Sequence, residues 1–179
     1  MIKAVIVFII LFTMDNLMVL FLPIRPVFGD YNVVPYSLLI GVCMYTFYGK
    51  KNHALWLAFV FGLFYDMYGT NLLGLYATMF PIIVFLIKKH LVPITPVNFV
   101  SIFYVTTIAI LAIETIIYLL VWVITPRSMS LFGFVQHRLI ITLIFNILLL
   151  AILYLPLIII LRSKEEKGVK TIMMDNTSA

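Results

Sequence analysis

The feature that most constrains this chain is an apolar run of 36 residues, 52–87, which lies between Lys50–Lys51 and Lys88–Lys89. A helix needs about 20 residues to cross the hydrocarbon core of a bilayer, so the run is too long for one upright crossing and slightly short for two. Its one acidic side chain is Asp66, which lies among glycines. The run therefore predicts a tight hairpin of two short membrane helices, with the turn near Asp66.

The whole chain has the composition of an integral membrane protein. Of its 179 residues, 64% are hydrophobic and 11% are charged, and the mean hydropathy of +1.18 lies outside the usual range of soluble proteins. Cys43 is the single cysteine, which excludes an intramolecular disulfide. We expect one membrane domain, residues 1–162, followed by a short polar cytoplasmic tail, residues 163–179.

Five polar breaks divide the sequence into six apolar segments. They predict an all-α, polytopic membrane protein with six transmembrane segments, of which the third and fourth form the short hairpin. The predicted segments are Ala4–Leu22, Val33–Tyr48, Ala54–Tyr65, Leu72–Ile87, Phe99–Ile124 and Leu139–Leu161.

The basic residues indicate the orientation of these segments. With six crossings, both termini lie on one side of the membrane, and nine basic residues fall on that side against three on the other. The nine are Lys3, Lys50, Lys51, Lys88, Lys89, Arg162, Lys164, Lys167 and Lys170, and the three are Arg25, Arg127 and Arg138. Because positive residues accumulate on the cytoplasmic side, we predict a cytoplasmic-membrane protein with both termini in the cytoplasm. Flanking lysines of this kind do not indicate nucleic-acid binding.

The predicted hairpin turn holds the first set of candidate site residues. Glycines there allow a tight turn and a close approach of neighbouring helices, so that a β-branched residue at Gly74 is expected to push helices apart. The Asp66 carboxylate is predicted to cap the N–H groups of residues 67–70 or those of the next helix. A structural clasp and direct contact with a partner or ligand both remain open roles. The candidates are Gly62, Asp66, Gly69, Leu73 and Gly74.

Ionisable side chains within the other segments form the second set. Such groups are costly in hydrocarbon and normally face the interior of a helix bundle. Glu114 shares a helix face with Thr107 and Tyr118, and the last segment carries a polar stripe at intervals of four residues. We predict that the two faces meet and that Glu114 pairs with Arg138 or with a tyrosine, joining helices rather than transporting or reacting. The stripe consists of Arg138, Thr142 and Asn146, and Asp15 in the first segment is given the same structural role.

Chemical motifs are scarce in this sequence. The three histidines are scattered at predicted membrane edges, and no His-x3-His pair, glycine-rich phosphate loop or Gly-x-Ser-x-Gly motif occurs. We therefore predict no cofactor, no metal site and no enzymatic activity.

Several short motifs, taken in order, give the chain a resemblance to a known family. The chain resembles the MreD family of rod shape-determining membrane proteins over most of its length, although Ile141 replaces a proline expected there. The matching residues are Gly62-Leu63 with Asp66 and Leu73-Gly74, Val34-Pro35-Tyr36, Arg138-Leu139 with Thr142 and Phe145-Asn146, and Tyr154-Leu155-Pro156.

The resemblance implies a non-enzymatic scaffold subunit of the bacterial cell-elongation machinery. Its implied partners are MreC, the MreB filament and the peptidoglycan polymerase and transpeptidase, within the lipid membrane. It also implies a fold similar to the substrate-binding subunits of energy-coupling-factor transporters, which makes a vitamin-binding transporter subunit the alternative. Those subunits usually carry Ala-x-x-x-Ala in the first span, whereas this chain has that spacing only at Ala54 and Ala58, in the third.

Overall fold

The apolar segments form helices, as expected where backbone polar groups have no water to bond. The computed structural model describes residues 2–21, 33–49, 53–69, 74–94, 96–124 and 130–161. These ranges contain α-helices and two π-helical turns, and no strand. The α-helices are α1 (Ile2–Phe21), α2 (Ser37–Tyr48), α3 (Ala54–Gly69), α4 (Leu75–Leu86), α5 (Phe99–Ile124), α6 (Leu131–Phe134) and α7 (Ile140–Leu161).

The two π-helical turns lengthen the helices that they adjoin. Ile87–Leu91 continues α4, and Val135–Leu139 joins α6 to α7, so that Leu131–Leu161 is one apolar helix of 31 residues. Within the described ranges, three helices are long and apolar enough to cross a membrane, namely Ile2–Leu20, Phe99–Ile124 and Leu131–Leu161, while Ser37–Tyr48 and Ala54–Tyr68 are shorter apolar helices.

Successive helical segments alternate in direction. The helices α1 and α2 are antiparallel. Phe8 of α1 contacts Tyr45 near the end of α2, with the ring centroids 5.8 Å apart, whereas Asp15, which lies later in α1, bonds to Ser37 at the start of α2. The helices α5 and α7 are antiparallel in the same way, with Phe99 and Tyr154 together at the end opposite the α5 C-terminus. We call the end where α1 begins the lysine end, since Lys3 and the π-helical Lys88 and Lys89 lie there.

The short helix α2 forms the centre of the bundle. All twelve of its residues are buried, and it contacts α1, α3, α4, α5 and α7. At 1.5 Å per residue it is about 18 Å long, well short of the hydrocarbon core. Its first turn therefore lies inside the protein, where its N–H groups need partners supplied by other helices.

The predicted boundaries agree at both ends for the fifth segment and differ for others. Segment five matches α5, but α3 ends at Gly69 rather than Tyr65, and the last helix begins at Leu131 rather than Leu139. Residues 33–36, predicted as part of a membrane segment, lie outside any helix, and α2 begins at Ser37. Pro35 disfavours helical backbone at the residue before it. Pro156 lies inside α7. The predicted tail, residues 163–179, lies outside the described residues.

Candidate functional site

A buried polar cluster surrounds the first turn of α2, at the end of the bundle away from the lysine end. It receives side chains from every long helical segment. Its members are Asp15, Tyr36, Ser37, Tyr65, Asp66, Tyr76, Glu114, Arg138, Thr142 and Asn146.

Asp15 of α1 caps the buried N-terminus of α2. Its carboxylate accepts hydrogen bonds from the backbone N–H groups of Ser37, at 2.8 Å, and Leu38, at 3.0 Å, and from the Ser37 hydroxyl. No side chain at the start of α2 supplies a cap of its own. The predicted interhelical role of Asp15 is thus seen in the structure, and the helix dipole stabilises its charge.

Asp66 of α3 caps α4 in the same way. It accepts hydrogen bonds from the N–H groups of Gly74 at 2.9 Å, Tyr76 at 2.8 Å and Ala77 at 3.0 Å, and it is 1% exposed. Two sets of donors were predicted for Asp66, and the structure shows the second, the N–H groups at the start of the next helix. By contrast, the exposed starts of α5 and α6 are capped locally, by Asn98 and Ser130.

The two aspartates make the hairpins α1–α2 and α3–α4 variations on one arrangement. In each hairpin, an aspartate late in the first helix holds the buried start of the second. The aspartate precedes its first capped N–H by 22 residues in one hairpin and by 8 in the other. That difference in loop length conceals the correspondence in the sequence.

Glu114 is the centre of the charged part of the cluster. Its carboxylate accepts a hydrogen bond of 2.7 Å from the Tyr36 hydroxyl and forms a 2.7 Å salt bridge with Nε of Arg138. Both predicted partners, Arg138 and a tyrosine, are therefore present. The Tyr36 hydroxyl also lies 3.3 Å from that of Tyr76, and the Tyr65 hydroxyl donates to the Pro35 carbonyl at 2.9 Å.

The rest of the predicted polar stripe contacts a different element from the one expected. Asn146 accepts a 2.7 Å bond from the Tyr36 N–H and donates at 2.8 Å to the Val34 carbonyl, while Thr142 accepts a 3.4 Å bond from the Val34 N–H. Arg138 meets Glu114, whereas Thr142 and Asn146 bond to the non-helical residues that precede α2. Nearer the end of α5, Tyr118 stacks on Phe134 at 4.3 Å.

The hairpin glycines have separate roles, which corrects the expectation for Gly74. A Cβ on Gly74 would meet nothing within 4 Å, so it would not push helices apart. Glycine is favoured at this position because the backbone has a left-handed φ of 102°. Close approach occurs at Gly62, where a Cβ would lie 2.5 Å from the Tyr76 carbonyl oxygen and 2.8 Å from Ala77 Cα. Gly69 is the last residue of α3, and Leu73 lies outside the described residues.

Sequence reasoning missed the buried tyrosines Tyr36, Tyr65 and Tyr76. They are 0%, 8% and 2% exposed, although tyrosines in membrane proteins are usually placed at the membrane surface. The signal available was their position within two residues of Pro35, Asp66 and Gly74, which lie near helix ends. Within the residues that the structure describes, no three His, Cys, Asp or Glu side chains are arranged to hold a metal ion.

We expect the Glu114–Arg138 pair to be energetically coupled. Glu114→Ala leaves a guanidinium and the Tyr36 hydroxyl without their acceptor, and it should lower the free energy of unfolding by about 3–5 kcal/mol. The double variant Glu114→Gln/Arg138→Gln should lose less stability than the sum of its two single variants, because each single variant leaves a lone charge and the double variant leaves none. Unfolding in detergent micelles measures the stability of all four variants. Additive losses would contradict the coupling.

The fold and the cluster define a polytopic helical membrane protein whose buried ionisable groups join its helices to one another. The family described as rod shape-determining protein MreD matches residues 1–164. The chain therefore belongs to the MreD family, a family of membrane proteins that determine cell shape and not a known family of enzymes.

A curated relative agrees with this assignment. The chain is 28% identical over 127 residues to the rod shape-determining protein MreD of Bacillus subtilis (strain 168), which covers 71% of this chain and 73% of that protein. No solved structure matches the chain.

Proposed function

We propose that this protein is a non-enzymatic scaffold subunit of the bacterial cell-elongation machinery, acting with MreC in cell shape and lateral peptidoglycan synthesis. The family match over residues 1–164 is the observation that carries the proposal. Further partners in this proposal are the MreB filament and the peptidoglycan polymerase and transpeptidase.

The use of the charged side chains supports a scaffold. Asp15 and Asp66 bond to helix N-termini, and Glu114 bonds to Arg138 and Tyr36. Groups held in this way fix the positions of helices and hence the shape of the surface offered to partners. We propose that these residues determine partner binding by shaping that surface.

Depletion of the protein tests the proposal in the host. Cells should become round or wide as the protein is lost, and MreC should co-purify with the protein from solubilised membranes. Normal cell shape after depletion, together with failure to recover MreC, would contradict the scaffold function.

A transporter subunit is the alternative, and a cavity of about 560 Å³ beside the polar cluster is the observation that favours it. A cavity of this size accommodates a small molecule. In that case, the fold would be that of energy-coupling-factor substrate-binding subunits. Depletion would then abolish uptake of one vitamin and leave cell shape unchanged, so the same depletion strain separates the two functions.

We also propose six crossings with both termini in the cytoplasm. The alternating directions of the helical segments and the position of Lys3, Lys88 and Lys89 at one end support this topology. Reporter fusions after Lys51, Lys89 and the C-terminus should report the cytoplasm, and a fusion at Asn71 should report the outside. A cytoplasmic signal at Asn71 would contradict the hairpin and the count of six.

A further inference from the structure

The cavity beside the polar cluster has a mixed lining. Side chains of α1, α3, α4 and α5 surround it, together with Val33, Val34 and the π-helical Arg138. Val19, Ile117 and Val121 form part of its apolar wall. Binding sites for small molecules have this character, with mostly apolar walls and a few polar groups that fix the orientation of the ligand.

The charged side chains near the cavity differ in how accessible they are to a ligand. Asp15 is 2% exposed and its carboxylate already accepts bonds from the start of α2. Glu114 is fully buried behind Arg138, whereas 29% of the Arg138 side chain is exposed. Although Asp15 also lines the cavity, the charged group with the larger exposed surface there is the Arg138 guanidinium.

Arg138 has the geometry of an anion-binding residue. A guanidinium has five N–H donors, and two of its nitrogens, Nε at 2.7 Å and Nη2 at 3.5 Å, are directed at Glu114. The salt bridge fixes the orientation of the planar group, and a pre-oriented guanidinium favours phosphate and carboxylate ligands. An arginine that lies within an apolar helix and keeps an exposed face is also a candidate for a functional role.

We propose that this cavity binds an amphipathic anion, with a phosphate or carboxylate head at Arg138 and an apolar body against Val19, Ile117 and Val121. Such a molecule is either an acidic lipid of the bilayer or a water-soluble amphiphile, since both present the same chemistry to the cavity. Binding of this ligand is additional to the scaffold function and does not depend on it.

Calorimetric titration of the purified full-length protein in detergent tests the proposal. The probes are hexyl phosphate, hexylammonium with the same chain and opposite charge, and inorganic phosphate with no chain. Hexyl phosphate should bind saturably and at least about ten-fold more tightly than the other two. Equal or tighter binding of hexylammonium would overturn the assignment of charge, and equal binding of inorganic phosphate would overturn the role of the apolar wall.

Variants of the wall locate the binding without disturbing the ion pair. Val121→Phe fills part of the cavity and should weaken the binding of hexyl phosphate by about ten-fold or more. Val123→Phe is the matched control, because Val123 lies on the same helix, is 74% exposed and is not part of the lining. A separate variant, Arg138→Lys, does alter the ion pair; it keeps the charge but loses the planar fork, so it should also weaken the binding of hexyl phosphate. Unchanged binding by Val121→Phe would overturn the site.

Native mass spectrometry from bilayer nanodiscs distinguishes the two sources. If the ligand is a lipid, dioleoylphosphatidic acid should remain bound to the wild type and dissociate from Val121→Phe, while dioleoylphosphatidylcholine should not be retained. If the ligand is soluble, hexyl phosphate should bind and neither lipid should be retained. Failure of hexyl phosphate and both lipids to bind would overturn the proposal, whereas loss of MreC binding or of rod shape would bear only on the scaffold function.

Discussion

Replacing Asp66 with alanine is expected to release the start of α4 and to lower the free energy of unfolding by about 3 kcal/mol or more. The change removes the acceptor for the N–H groups of Gly74, Tyr76 and Ala77, and each buried donor left unpaired costs about 1–3 kcal/mol. Water cannot restore the bonds of Tyr76 and Ala77, because these residues are 2% and 3% exposed.

Unfolding of the purified protein in detergent micelles measures this loss. Met67→Ala is the matched control, since Met67 is the next residue of α3 and is 66% exposed; it should be nearly neutral. Asp66→Asn retains one acceptor oxygen, so its free energy of unfolding should lie between those of Asp66→Ala and Met67→Ala. Equal stability of Asp66→Ala and Met67→Ala would show that the carboxylate does not hold α4.

Gly62→Ala is expected to separate α3 from α4. The new Cβ would lie 2.5 Å from a backbone oxygen and 2.8 Å from a backbone carbon of α4, and neither atom can move without moving the helix. Overpacking costs about 1–3 kcal/mol. The shift also lengthens the Asp66 bonds, because the same residues, Tyr76 and Ala77, donate to Asp66. Alanine is favoured over glycine in a helix by about 1 kcal/mol, but the loss of stability from the displaced helix should exceed this gain.

Two other glycines provide controls for this prediction. At Gly41, which is also buried within a helix, a Cβ would meet the end of the Leu11 side chain, which can rotate, so Gly41→Ala should lose much less stability. At Gly74 the space is open and the φ of 102° is the constraint, so Gly74→Ala should cost about 1–2 kcal/mol. Equal losses for Gly62→Ala and Gly41→Ala would contradict the account of helix approach.

The sequence predicts the polar contacts that follow from the cost of burying charge. A carboxylate in an apolar segment must find donors, which is why Asp66 at a helix end and Glu114 opposite Arg138 could be assigned partners in advance. The bounds of α5 were predictable for a similar reason, since its apolar run of 26 residues is bordered by Asn98 and Pro126.

The other contacts of the cluster could not be predicted, because they depend on how the helices pack and no local sequence pattern indicates that packing. Asn146 was expected to face α5 but bonds to Val34 and Tyr36, because the non-helical residues that precede α2 lie beside α7. The difference between Gly62 and Gly74 could not be inferred either, because both lie in the same glycine-rich stretch and only the position of α4 separates their roles.

The amount of MreC recovered per copy of this protein in the membrane tests the central claim most directly. That claim is that the buried polar cluster holds the helices in the arrangement that the elongation machinery recognises. Asp66→Ala should recover much less MreC than the wild type, while Lys88→Ala, at the opposite end of α4, should recover about the same amount. Equal recovery of MreC by Asp66→Ala, Lys88→Ala and the wild type would contradict the claim.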